Sequence, residues 1–378
     1  MDYLLKTSEI ILKGKNRKFF EKILKENIKF KLGNNLEFIK NLGGTFWVKT
    51  KIEALNELKK IFGLSKILEV KIFENLEDVF KNLDLKDYQD YSLKVKRSTK
   101  DYPLNSLQIK KRLKDFIKNK FNLEENKNSK NKIYLEYRNK KFFLSLKEEN
   151  AFGGLPLKSS GKGLVLLSAG FDSPVASFLS MKRGLKIYFV HFHSYPQTSI
   201  NSIEKVKEIV KLLNEYNLGS ELYLINILEI QKFYYFNVPK EYLVIFYRRT
   251  MYRLAEKLKN ELNLDCLITG ENLGQVASQT IQNLFVIEKA INSLVLRPLI
   301  GFNKQEIIDL AKIIKTEEIS KKPYEDCCNL FLPKKVKTKA NLEIVEKIEK
   351  NIAKELFKLE EKAYQEKEKY IFLIYNKL

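Results

Sequence analysis

Leu164-Val165-Leu166-Leu167-Ser168-Ala169-Gly170-Phe171-Asp172-Ser173-Pro174 is the stretch whose reading decides the fold. Four apolar residues suited to a buried strand run into small residues where the chain must turn. The sequence Asp-Ser-Pro then suits the start of a helix, with Ser173 as N-cap and Pro174 at the first helical position. Such a turn lets backbone amides approach an anion, and the helix N-terminus adds its partial positive charge. The chain has no G-x-x-x-x-G-K-[ST], so the loop is not a Walker A loop and lacks that loop's lysine.

Downstream, apolar strand runs at 164–167, 187–192, 222–225 and 266–269 alternate with helical patterns. That alternation predicts a parallel, doubly wound α/β sheet covered on both faces, with ligands at the carboxyl ends of its strands. A long charged helix over 341–367 is expected to form a cover. Upstream, Ala151-Phe152-Gly153-Gly154-Leu155-Pro156 and Ser159-Ser160-Gly161-Lys162-Gly163 form the densest cluster of turn-forming residues and mark the main boundary. Before it the pattern is α+β. A short strand from Tyr3 passes through Lys13-Gly14-Lys15-Asn16 into a helix with Phe19, Phe20, Ile23, Leu24 and Ile28 at helical spacing. Strands follow near 45–50, 65–72, 91–97, 133–138 and 141–146, with a helix over 53–62 and a Lys/Asn-rich loop over 124–132.

At 378 residues the chain has length for two or three domains. Its formal charge of +22 favours a polyanionic partner, because Lys and Arg release condensed counterions when they neutralise phosphates. Neither a basic and apolar leader nor a run of about 20 apolar residues is visible, so a soluble cytoplasmic protein is expected. Three cysteines, Cys266, Cys327 and Cys328, are too few for a disulfide framework. Cys266 lies in an apolar run with no C-x-x-C spacing, which suits a small buried residue better than a metal ligand. On a strand through Leu93-Lys94-Val95-Lys96-Arg97, alternation puts Leu93 and Val95 on one face and Lys94 and Lys96 on the other. With Tyr91 and Tyr102 nearby, a basic face of this kind suits RNA phosphates and unstacked bases.

The phosphate-loop stretch resembles the PP-loop, SGGxDS, of enzymes that cut ATP between its α and β phosphates, with Ala169 in place of the first glycine. Further stretches, in order, resemble bacterial tRNA 4-thiouridine synthetases. They are Ser8-Glu9-Ile10-Ile11-Leu12-Lys13-Gly14-Lys15-Asn16-Arg17, Lys94-Val95-Lys96-Arg97, the run from Thr269-Gly270-Glu271-Asn272 to Gln279-Thr280, Arg297-Pro298-Leu299-Ile300-Gly301-Phe302-Asn303-Lys304, and Pro323-Tyr324-Glu325-Asp326-Cys327-Cys328. The resemblance implies a ferredoxin-like domain over 1–58, a THUMP RNA-binding domain over 59–150 and a PP-loop ATP pyrophosphatase domain over 151–378. It also implies the activity, ATP-dependent replacement of the C4 oxygen of tRNA uridine 8 by sulfur.

Carried over residue by residue, the resemblance implies an ATP site at Leu166, Leu167, Ser168, Gly170, Ser173, His191, Phe192, Arg248, Gly270 and Gln279. Asp172 would act at the phosphates with Mg2+, and Lys304 would offset charge as pyrophosphate leaves. Cys327 would carry a persulfide from a cysteine desulfurase, with Cys328 as an accessory thiol. Lys94, Lys96 and Arg97 would bind tRNA, and the protein would be a homodimer. Longer members carry a rhodanese domain and also supply sulfur for the thiazole of thiamine; the chain is too short after Cys328 for that domain to be expected. Thiamine sulfur transfer and another PP-loop ligase activity are the alternative readings.

Overall fold

The structure, a computed structural model, describes residues 1–323, 325–333 and 335–373; Tyr324 of the cysteine motif lies outside them. The chain divides between Leu155 and Pro156 into two compact units.

The first unit is one seven-stranded sheet backed by helices. Its strands are β1 (Asp2–Thr7), β2 (Leu36–Asn41), β3 (Thr45–Thr50), β4 (Leu64–Phe73), β5 (Ser92–Arg97), β6 (Lys132–Arg138) and β7 (Lys141–Asn150), in the order β2-β3-β1-β4-β7-β6-β5. The helices are α1 (Arg17–Leu32), α2 (Leu55–Lys59), α3 (Leu76–Asn82) and α4 (Ser106–Phe121). Leu24 and Ile28 of the α1 stripe are fully buried among Tyr3, Phe46 and Ile67, whereas Phe19 at its head is 53% exposed. A second core under β5 and β6 joins Leu93, Leu113, Leu135 and Phe142. β4 binds the halves together by pairing with β1 on one side and β7 on the other. Buried Glu136 adds a polar tie, accepting from Lys6, Ser98, Tyr134 and Arg138. Burial opposes its charge, but Lys6 leads the donors that hold its pKa down to about 2.

The second unit has the expected α/β layering. Its strands are β8 (Lys162–Leu166), β9 (Lys186–His193), β10 (Ser220–Asn226), β11 (Cys266–Ile268), β12 (Val295–Leu296) and β13 (Glu368–Phe372), ordered β12-β11-β8-β9-β10-β13. The five strands from β12 to β10 are parallel, and β13 joins β10 antiparallel at the edge, an addition that the sequence pattern did not announce. The helices are α5 (Asp172–Lys182), α6 (Asn201–Asn217), α7 (Leu228–Asn237), α8 (Leu243–Glu261), α9 (Ile281–Glu288), α10 (Lys304–Ile313), α11 (Glu317–Lys321) and α12 (Leu342–Gln365). The chain order reverses around β8, placing the turn after β8 where such sheets bind ligands.

The charged C-terminal helix α12 does cover the sheet layer, and it is fixed by a buried ionic clamp. Arg249 of α8 donates through Nε and Nη2 to Glu349, at 2.6 Å for the shortest of these bonds, and Arg253 reaches both Glu349 and Glu360. Replacing Glu349 by Ala leaves Arg249, 3% exposed, without its carboxylate and is expected to cost about 3 to 5 kcal/mol. Urea unfolding followed by circular dichroism measures this; a midpoint equal to that of the unaltered chain would mean that the clamp contributes nothing.

Candidate active site

The turn after β8 is closed by its own serines. Ser173 Oγ accepts from the Ser168 backbone N–H at 2.8 Å and lies 3.1 Å from Ser168 Oγ. This corrects the sequence expectation that Ser173 caps the helix: α5 begins at Asp172 without a side-chain cap, and Ser173 lies inside its first turn. Pro174 is therefore the third helical residue rather than the first. Proline is still compatible with the helix there, because that position's N–H has no intrahelical partner. Ala169 sits at the place of the PP-loop's first glycine with a negative φ, so its Cβ introduces no left-handed strain, and the methyl is fully buried. Gly270, after β11, does need to be glycine. A Cβ there would lie 2.6 Å from the Ser173 backbone nitrogen and 2.8 Å from the Asp172 carbonyl carbon, so only glycine lets the two loops meet.

Around this turn lies a cavity of about 500 Å³, within the usual range for small-molecule sites. Its lining contains Leu166, Leu167, Ser168, Gly170, Asp172, Ser173, His191, Phe192, Arg248, Gly270, Gln279, Cys327 and Cys328, so those sequence-derived residues are brought together. Lys304, the first residue of α10, reaches the group through its ammonium, 2.8 Å from Asp172 Oδ1. Gln275 Nε2 donates to Asp172 Oδ2 at 3.0 Å.

His191 shows what the cavity wants from a ligand. Burial lowers the pKa of the imidazole, against the hydrogen bond to Leu167 O, which raises it, and the ring is neutral. Nδ1 lies 2.8 Å from that carbonyl and must carry the proton, leaving Nε2 as an acceptor. Among the described residues Nε2 is buried with no partner. A ligand that donates an N–H or O–H would satisfy it, as the amine or ribose hydroxyls of a nucleotide can.

Arg248 is held rather than solvated. It pairs with Glu271 and donates through Nη1 to Ser278 Oγ at 3.1 Å. Glu271, 2% exposed, also accepts from Arg297 at 2.7 Å, Tyr252 at 2.8 Å and Thr269 at 2.9 Å. Burial opposes the Glu271 charge, but Arg248 and then Arg297 outweigh it and hold the carboxyl below its ordinary range. Glu271 and Arg297 stand inside the resembling stretches of sequence, which assign neither a role. Glu271 aims Arg248 at the cavity wall.

The cysteines follow α11 in a short turn of helix, Cys327–Asn329. Cys327 is 8% exposed and its thiol donates to Phe192 O at 3.2 Å. Gln231, fully buried on α7, donates to Cys327 O at 2.7 Å and accepts from Ser194 Oγ, fixing the backbone under the sulfur. The adjacent Cys328 thiol, burial and Asp326 together push the Cys327 thiol well above its ordinary pKa. Cys266 is 3% exposed in β11, away from this pair, with burial pushing its thiol up to about 11.

In the first unit Lys94 and Lys96 are exposed on β5, an edge strand, and Leu93 faces the core. Arg97 Nη1 is occupied by Tyr102 O and Leu104 O, at 3.0 and 3.1 Å. The aromatic part of the sequence expectation fails for Tyr91, which is 1% exposed, while Tyr102 is partly buried and packs on Tyr137 and Phe142 with ring centroids 4.7 and 5.0 Å away. Core packing takes the Tyr91 ring from the surface, whereas Tyr102 keeps part of its surface exposed.

The sequence profile of the Thiamine biosynthesis protein (ThiI) family matches residues 158–354, and that of the ThiI ferredoxin-like domain matches residues 2–67. A probable tRNA sulfurtransferase of Caldanaerobacter subterraneus is 41% identical, with 90% of this chain and 93% of that protein aligned. The corresponding protein of Thermotoga maritima is 37% identical, with 96% of each covered. Among solved structures, a 4-thiouridine synthetase in complex with RNA and bound ATP superposes with a TM-score of 0.89 at 35% identity, covering 98% of this chain and 99% of that one.

Proposed function

Since the chain belongs to the Thiamine biosynthesis protein (ThiI) family and is similar over its length to tRNA sulfurtransferases, we propose that it is an ATP-dependent tRNA uridine 4-sulfurtransferase. It adenylates the C4 oxygen of uridine 8 with release of pyrophosphate, the outer persulfide sulfur displaces AMP at C4, and a second thiol cleaves the resulting S–S bond as the two-electron reductant, freeing 4-thiouridine and leaving a disulfide. The observation that carries the reading is the convergence on one cavity of an anion-suited loop, the Asp172–Lys304 pair, the unpartnered His191 acceptor and Cys327.

The residues fit ATP: a nucleotide donor would satisfy His191 Nε2, and the first amides of α5, which no side chain caps, suit its phosphates. Asp172 is the carboxylate suited to hold Mg2+, which would supply charge neutralisation at the phosphates. The proposal keeps the ferredoxin-like (1–58), THUMP (59–150) and PP-loop (151–378) division, a cysteine desulfurase as sulfur source, a homodimer and a cytoplasmic setting. No helix among the described residues is long and apolar enough to cross a membrane. The test is mass spectrometry of tRNA nucleosides after incubation with ATP, Mg2+, cysteine and a desulfurase. Absence of 4-thiouridine with a folded, ATP-binding protein would overturn the reading. The family description also favours a second acceptor, the thiazole precursor of thiamine, and a deletion strain that requires thiamine would reveal it.

Lys94 and Lys96 on the edge strand are proposed to neutralise tRNA phosphates. Replacing both by Ala should weaken tRNA binding and reduce the slope of log affinity against log salt by about one unit for each phosphate that is no longer neutralised. Filter binding across a salt series measures this, and an unchanged slope would place the RNA surface elsewhere.

A further inference from the structure

The two adjacent cysteines differ in a way that sulfur delivery requires. Cys327 is buried, its thiol turned onto Phe192 O and its carbonyl pinned by Gln231. Cys328 is only partly buried in the cavity lining. Asp326 stands beside both, its Oδ1 accepting the Cys328 backbone N–H at 2.8 Å, and one carboxylate oxygen and the two sulfurs all lie within 4.8 Å of one another. Both cysteines are free thiols. Passing one sulfur atom from thiol to thiol aligns two partly made S–S bonds, each somewhat longer than the full bond of about 2.05 Å, which sets the terminal sulfurs roughly 4 to 5 Å apart. A direct bond between neighbouring residues is disfavoured, since adjacent Cα atoms stand about 3.8 Å apart and disulfides usually span about 4.4 to 6.8 Å.

Building on the sulfurtransferase reading, we propose that Cys328 is the entry thiol, which accepts sulfur from an external persulfide and relays it to Cys327. In the first step the Cys328 thiolate attacks the outer sulfur of a donor R–S–SH, giving Cys328–S–SH and releasing R–S⁻. In the second, Asp326 takes the Cys327 proton and the Cys327 sulfur attacks that same outer sulfur. The electron pair of the broken S–S bond stays on the Cys328 sulfur, which receives the proton back, and Cys327–S–SH remains. Each step is a transfer of one sulfur with no net oxidation.

Glutathione persulfide is the probe, applied in limiting amount to the whole protein without tRNA or ATP, with rapid quenching and tandem mass spectrometry to localise the added sulfur. In the unaltered chain the sulfur should appear on Cys328 first and accumulate on Cys327. Cys327→Ser should retain it on Cys328, and Cys328→Ser should load Cys327 at least tenfold more slowly. Loading of Cys327 in Cys328→Ser at the unaltered rate would overturn the relay. Iodoacetamide mapping of the unaltered protein gives a second measure independent of any variant: Cys328 should alkylate first, and prior alkylation of Cys327 would likewise overturn it. Because no tRNA is present, a protein that relays sulfur yet makes no 4-thiouridine would refute the sulfurtransferase reading and leave the relay standing.

Discussion

Replacing Lys304 by Ala should slow ATP-dependent adenylation of tRNA by about 10²- to 10³-fold, the range found when one preorganised charge-stabilising group is removed, while tRNA affinity changes by less than twofold. The ammonium lies 2.8 Å from Asp172 Oδ1 at the start of α5. Without it a carboxylate would face incoming phosphates with only Gln275 as a neutral partner, and the charge that develops as pyrophosphate departs would lose the cation paired with Asp172. The effect should fall on kcat for pyrophosphate release. Lys94 and Lys96, proposed to hold the tRNA, lie in the other unit of the chain, so filter binding should change little. Asp172→Ala should be comparably slow if the carboxylate serves the phosphates. Pyrophosphate release at the unaltered rate in either variant would remove that residue from the chemistry.

Much of this arrangement was legible because it rests on local rules. Apolar runs ending in Ser168-Ala169-Gly170 predict a strand and its turn, and β8 and α5 stand there. The same rules failed where a longer-range interaction decided the outcome. Ser173-Pro174 reads as a cap and first helical residue, yet the Ser173 hydroxyl is drawn back to Ser168 and the helix starts earlier. Phe19 has the right spacing for the α1 stripe but lies beyond the region the sheet covers. β2 carries no strand signal because its residues are half-buried or exposed, so Leu36–Asn41 shows no clean alternation, and β13 carries none because only Tyr370, Ile371 and Phe372 of Glu368–Phe372 are apolar, too short a run to announce a strand. The Glu271 cluster joins residues 19 to 26 positions apart, and Arg249 finds Glu349 after 100, separations at which no periodicity can pair them. The residues proposed for the nucleotide came from resemblance; what the structure adds is local geometry, a close loop approach at Gly270, an open acceptor on His191 and an ionic anchor for Arg248.

Cys327→Ser should abolish 4-thiouridine formation, by at least about 10³-fold, while leaving adenylation of the tRNA intact. A carbonyl oxygen is a poor leaving group, so the uridine C4 oxygen must first attack the α-phosphate of ATP, expelling pyrophosphate; only then can sulfur attack C4 and release AMP. None of the groups proposed for the first step is a thiol. Lys304, Asp172, Arg248 and His191 lie on other elements, and the serine hydroxyl is smaller than the thiol, so the cavity that binds ATP should persist. Hydroxyl cannot carry sulfane sulfur, and the second step should stop there. Single-turnover reactions with radiolabelled ATP should therefore show pyrophosphate release and an adenylated tRNA that accumulates, with no sulfur incorporated. Added sulfide should discharge that intermediate to 4-thiouridine, because a soluble nucleophile bypasses the missing thiol. If the variant instead fails to adenylate, Cys327 belongs to the activation step; if it thiolates at the unaltered rate, the sulfur acts from Cys328 and the order of the two thiols is reversed.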